Sequence, residues 1–169
     1  REYDFKKNLE VKTRLCEQAE ALADEENVIS AFQQLQTLHQ EWKETGPVAR
    51  ELREDIWNRF KEASTVINKR HQDHFEALKA AEEENLAKKE ELCVFVEEIK
   101  PEELTTFAQW EDKTKEVLAY QAKWRTIGFA TPKMHNAVFT RFREACDKFF
   151  SAKSEFFKTR RAAEQANVE

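Results

Sequence analysis

Glycine occurs twice in 169 residues and proline three times, and these shortages exclude a great deal. Tight turns, hairpins and phosphate-cradling loops are built largely from these two residues. A multi-strand sheet, a Rossmann fold or a P-loop is therefore all but excluded. Long apolar runs are missing too. Nothing approaches the roughly 20 residues that a membrane span requires, and no secretory hydrophobic region is present. Cysteine is sparse and scattered, at Cys16, Cys93 and Cys146. No CxxC pair exists, so neither a zinc site nor a disulfide framework is indicated. Each cysteine lies beside apolar residues at helical spacing and reads as a small buried thiol of a reducing cytoplasm.

What is abundant is charge, at 36 % of residues, in a background of Glu, Lys, Ala, Leu and Gln. That mixture suits long solvated helices. Thirteen Phe and four Trp argue against disorder. The net charge of −5 is uneven. Residues 1–127 hold 20 basic against 28 acidic side chains, and residues 128–169 hold 8 against 5. An acidic body with a mildly basic end lacks the dense basic face of a typical DNA binder. The chain begins at Arg1 rather than Met, which suggests an excised fragment or processed product, so a targeting segment could have been removed from view.

An internal repeat organises the chain. At a shift of 82, Trp42 meets Trp124, Gly46 meets Gly128, Trp57 meets Phe139 and Phe75 meets Phe157. The run Arg59-Phe60-Lys61-Glu62-Ala63 meets Arg141-Phe142-Arg143-Glu144-Ala145. Further upstream the shift is 77: Leu9 meets Leu86, Leu15-Cys16 meets Leu92-Cys93, and Leu22 meets Ile99. The five additional residues of the second copy therefore lie around Lys100 to Thr106, where Pro101 marks a connection between helices.

Each copy reads as three helices. In the first, Phe5, Leu9, Leu15, Ala19 and Leu22 form a stripe that ends near Asp24–Asn27. A second helix from about Val28 places Phe32, Leu35, Leu38 and Trp42 on one face. Thr45-Gly46-Pro47 stops it, with Gly suited to a left-handed C′ position and Pro unable to continue the helix. A third helix starts near Val48, with a seam at Ile56, Phe60, Ala63, Ile67, His74, Ala77 and Ala81 interrupted by Arg70. That spacing is of the coiled-coil kind. In the second copy, Phe107, Trp110, Val117 and Trp124 mark the middle helix, Ile127-Gly128 ends it, and Pro132 opens the last. Its seam is Val138, Phe142, Ala145, Phe149, Ala152, Phe156 and Ala163, widened by Phe139, Cys146, Phe150 and Phe157.

No helix breaker separates Pro47 from Pro101. The expected fold is all-α, with two antiparallel three-helix bundles over residues 1–81 and 82–169. The third helix of the first copy should run into the first helix of the second, over roughly 75 Å at 1.5 Å per residue. The result would be a spectrin-like elongated rod. The competing arrangement is a kink near Glu82, in the charged run Glu82-Glu83-Glu84-Asn85, that folds the bundles together. Bundles of about 80 residues are small, and their aromatics compensate, because burying a Phe or Trp contributes about 1.5–3 kcal/mol.

The recurring motif is Trp, a short gap, Gly, then about a dozen residues to Arg-Phe-[Lys/Arg]-Glu-Ala. It occurs at Trp42–Pro47 with Arg59–Ala63, and at Trp124–Gly128 with Arg141–Ala145. This resembles the bacterial family known as domain of unknown function 349, over nearly the whole chain and as two copies. The resemblance implies an intracellular bacterial helical repeat protein, cut from a longer array, with no established activity, cofactor or catalytic residues. The first copy departs late in its third helix, where Asn68 and His74 replace Phe150 and Phe156.

Candidate chemistry is thin. His71 and His74 lie three apart with His39 elsewhere, but His74 fills a seam position, so a core or boundary histidine is expected and no metal. His135, in the first turn of the last helix, shows no partner in the sequence. Carboxylates occur in runs such as Glu82–Glu84 and Glu102-Glu103, without the shielded pair that acid–base catalysis needs. No enzyme, cofactor or metal site is therefore expected.

The Trp–Gly corner is the most informative feature. Trp42 and Trp124 are expected to plug the bundle beside the turn, against Ile56 and Val138, with Arg59 and Arg141 lying over the rings as a cation–π lid. Trp42, Gly46, Arg59, Phe60, Trp124, Gly128, Arg141 and Phe142 are the candidate docking or structural residues. The expected function is a non-enzymatic scaffold or protein-interaction rod in the cytoplasm, for a protein partner of unknown identity. The alternative is RNA, DNA or ribosome binding through Arg143, Lys148, Lys153, Lys158, Arg160 and Arg161 of the last helix. Interleaved Glu144, Asp147 and Glu155 favour an ordinary solvated face there. Self-association through a long helix is a third possibility, and no membrane contact is expected.

Overall fold

The structure is a computed structural model that describes residues 4–168, the side chain of Val168 excepted. Five α-helices account for nearly all of it, and no strand occurs among the described residues. They are α1 (Phe5–Ala23), α2 (Val28–Glu44), α3 (Arg50–Glu97), α4 (Phe107–Thr126) and α5 (Pro132–Val168).

Local chemistry sets the boundaries. Asp4 caps α1 by accepting from the Lys7 amide, and Asn27 caps α2 by accepting from the Ser30 amide. Thr106 and Gln109 form a reciprocal capping box at the start of α4. Pro132 is the first residue of α5, where its missing N–H costs nothing. The five additional residues of the second copy form the α3–α4 connection, with a single 3-10 turn at Pro101–Glu103. Helix α3 runs 48 residues without a break, as expected from the absence of Gly and Pro.

The chain divides into two units, the first ending at Ala77 and the second beginning at Leu78, four residues ahead of the expected boundary. Each has its own core. In the first, Leu15, Cys16 and Ala19 of α1 meet Ala31, Leu35 and Leu38 of α2 and Ile56, Phe60, Ala63 and Ile67 of α3. In the second, Leu92, Cys93 and Val96 of α3 meet Trp110 and Val117 of α4 and Val138, Phe142, Cys146 and Phe149 of α5.

The seam is shorter than its spacing implied. In the first copy it stops at Ile67, and His74, Ala77 and Ala81 are exposed. The reason is reach: α1 ends at Ala23 and α2 begins at Val28, so the helices that cover α3 have turned back. Arg70 marks that limit, donating from its guanidinium to the Ala23 carbonyl at the end of α1 at 2.8 Å. In the second unit Ala163 is likewise exposed, and Phe139 faces outward rather than widening the seam.

Candidate partner-docking corners

Each corner is built from four residues of a unit's first helix, spaced four apart: Asn8, Lys12, Cys16 and Glu20 in one, Asn85, Lys89, Cys93 and Glu97 in the other. A four-residue step keeps side chains on one face of a helix. Every member has the same partner in both units. Asn8 donates to the Pro47 carbonyl at 2.8 Å, and Asn85 to the Phe129 carbonyl at 3.0 Å. The Lys12 ammonium lies 4.8 Å from the centre of the Trp42 ring, and that of Lys89 5.0 Å from Trp124. The Cys16 thiol points at the Ile56 carbonyl at 3.6 Å, and Cys93 at Val138 at 3.8 Å. Glu20 takes two hydrogen bonds from Arg59 at 2.9 and 2.7 Å, and Glu97 two from Arg141 at 2.9 and 2.6 Å.

The aromatic half of the corner repeats as closely. Trp42 stacks on Phe60 at 4.5 Å and 15°, and Trp124 on Phe142 at 4.4 Å and 9°. Each Trp ring is thus held between a lysine and a core phenylalanine.

The model of the family described as Domain of Unknown Function (DUF349) matches residues 1–51 and 55–133. The chain belongs to this family. Both matched segments end just beyond a Trp–Gly corner, at positions 82 residues apart, which is the shift that relates the corners. No curated protein and no solved structure matches the chain.

Two expectations for the DUF349 corner need correction. Arg59 and Arg141 do not cover the Trp rings. A carboxylate lies within reach of each, and a bidentate charged pair outcompetes a ring face at a half-exposed site; the lid is lysine. Each Trp packs on the core that holds Ile56 or Val138 and also stacks on Phe60 or Phe142. The glycines are not left-handed, since neither has positive φ. They leave room for a close approach: a Cβ on Gly46 would lie 2.7 Å from the Asn8 side-chain nitrogen, and one on Gly128 would lie 2.9 Å from that of Asn85, so either asparagine would have to shift. The four-residue stripe itself was missed, although the 77-residue shift that pairs Leu9 with Leu86 also pairs all four of its members.

Electrostatics follow from this packing. Hydrogen bonds from Arg59 and Arg141 hold the Glu20 and Glu97 carboxyls below the usual range. Burial pushes the Cys16 and Cys146 thiols up, and Cys93 up to about 11. Burial lowers the Lys89 pKa; burial and then the charge of Arg53 lower that of Lys12. All three cysteines are buried and unpaired, as their apolar surroundings implied.

Outside each locked corner stands one large ring. Trp57 is 42 % exposed and Phe139, its counterpart in the second copy, 45 %. Phe129, next to Gly128, is 76 % exposed. Of the candidate residues, Phe60 and Phe142 are buried, whereas Trp42 and Trp124 are partly covered.

The basic face of α5 is divided. Lys153 pairs with Glu111 at 3.3 Å, and Arg160 donates to the Thr105 carbonyl at 2.9 Å and covers Phe156. Arg143 leans over Phe139 and, like Lys148, Lys158 and Arg161, is exposed. Among the histidines, His71 stacks on Phe32 at 3.8 Å, His39 meets the edge of Phe60, and His135 lies beside Phe129. His74 is exposed against Phe75 rather than in a core. Among the described residues, no helix is long and apolar enough to cross a membrane.

Proposed function

We propose that this DUF349 chain is a non-enzymatic helical repeat module that docks protein partners at its two Trp–Gly corners. The single observation that carries the reading is the pairing of Trp57 with Phe139. A large ring stands more than 40 % exposed at the same place in both copies, although Trp57 also borders Trp42 and Phe60. An exposed aromatic beside a rigid, water-excluding scaffold is the usual anchor of a protein interface. The groups below it are held by hydrogen bonds and stacking, so the ring is presented with little entropy to lose on binding.

The test is photo-crosslinking in cells with a benzophenone amino acid at position 57 or 139, and at exposed Asp112 as a control. The expected result is a discrete protein adduct from positions 57 and 139 that survives nuclease. Absence of adducts from both positions overturns the reading. Adducts that nuclease abolishes would instead favour nucleic-acid binding through Arg143, Lys148, Lys158 and Arg161, whose affinity should fall steeply with salt.

A further inference from the structure

The two corners differ in one respect that their common construction does not require. In the first unit, a groove beside the turn is floored by Trp42, Ile56 and Trp57 and flanked by two cations, Lys12 and Arg53. None of its lining residues is acidic. Arg53 is fixed by donation to the Val48 carbonyl at 3.0 Å, so its charge stays at the rim. In the second unit the place of Arg53 is taken by His135 and that of Pro47 by Phe129. The cation pair therefore belongs to the first corner.

We propose that this groove binds an acidic segment of a protein partner, with a carboxylate between Lys12 and Arg53 and a neighbouring apolar side chain against Trp57. The inference rests on the docking reading above and adds the chemistry of the ligand. Two like charges share an apolar groove, and the lowered pKa of Lys12 reflects burial and the nearby guanidinium. A carboxylate placed there would pair with both cations and offset their mutual repulsion. The wider surface argues against a polyanion. Residues 1–77 hold 12 basic and 16 acidic side chains, so a long phosphate chain leaving the groove meets net negative charge. A short acidic–apolar peptide does not extend that far.

The test is titration of the whole ¹⁵N-labelled chain with the peptide Ac-Glu-Leu-Glu-Phe-Glu-NH₂, followed through the indole N–H signals. Saturable shifts at Trp42 and Trp57, with Trp124 unmoved, are expected. The pair Lys12→Met and Arg53→Gln should weaken binding at least tenfold, and Arg53→Lys should retain it within threefold. Far-UV circular dichroism checks that each variant folds. An equal response to the Gln version of the peptide overturns the acidic preference and leaves corner docking intact. Unmoved indoles, or a stronger response to inorganic phosphate or oligothymidylate, overturn the proposal outright. The crosslinking experiment judges the docking reading independently.

Discussion

The Lys12 ammonium lies over the ring of Trp42, 4.8 Å from its centre, and that ring rests on Phe60. Lys89, Trp124 and Phe142 repeat the sandwich. The lysine comes from a unit's first helix, the Trp from its second and the Phe from its third, so one three-layer contact ties the whole bundle. Phe60, its buried floor, and Trp57, which borders it from outside, should respond very differently to substitution.

Phe60→Ala should cost about 3–5 kcal/mol, because it removes a fully buried ring and the floor under Trp42. Trp57→Ala, which removes a partly exposed ring tilted against Trp42 and Phe60, should cost less, about 1–2 kcal/mol. Urea unfolding of the two variants checks the contrast. Equal losses would mean that Trp57 is a core residue and not a presented anchor.

Asn8 and Gly46 should couple. Gly46→Ala should cost on the order of 1–2 kcal/mol, since its methyl displaces Asn8 from the Pro47 carbonyl. In an Asn8→Ala background the clash is gone, so the same change should cost less or nothing. A double-mutant cycle measures this. Strict additivity would show that Gly46 serves its backbone rather than this contact.

The carboxylates paired with arginine should confer acid sensitivity. Glu20 and Glu97 have pKa values below their ordinary 4.5 in the folded chain. The stability they confer is therefore full above the unfolded value and is lost as pH falls through the folded one. Both pairs are near the surface, so each contributes at most about 1 kcal/mol, less at high salt. Glu20→Gln with Glu97→Gln should flatten the stability curve below about pH 4.5 and leave its shape at higher pH unchanged. An unaltered acid limb would remove these pairs from the account.

The three thiols should be silent. Cys16, Cys93 and Cys146 are buried and their pKa values are raised, so the native chain should give no reaction with a thiol reagent near pH 8. All three should react after unfolding in urea. Fast labelling of any one in the native state would contradict its placement in a core.

The helices, their stops and the unbroken α3 were legible in the sequence because they rest on residues with strong local preferences: Gly46 and Gly128 beside stops, Pro132 as a start, and no Gly or Pro between Pro47 and Pro101. Three features were not legible, for physical reasons. Helical periodicity continues past Ile67, but burial needs a covering helix, and α1 and α2 reverse there. Arg59 suits a Trp face as well as a carboxylate, and only the fold places Glu20 within reach. Gly46 satisfies both a left-handed turn and a tight contact in sequence terms; the approach of Asn8 decides between them. The stripe at Asn8, Lys12, Cys16 and Glu20 was visible in principle, since a period of four repeats unchanged at Asn85, Lys89, Cys93 and Glu97.

The whole account stands on that stripe closing both corners alike. The direct measurement is the proton chemical shift of the Lys12 and Lys89 side-chain methylenes next to nitrogen. Ring currents from Trp42 and Trp124 should move both sets upfield of ordinary lysine, and Trp42→Leu or Trp124→Leu should restore each in turn. Ordinary shifts at both lysines in the folded chain would contradict it.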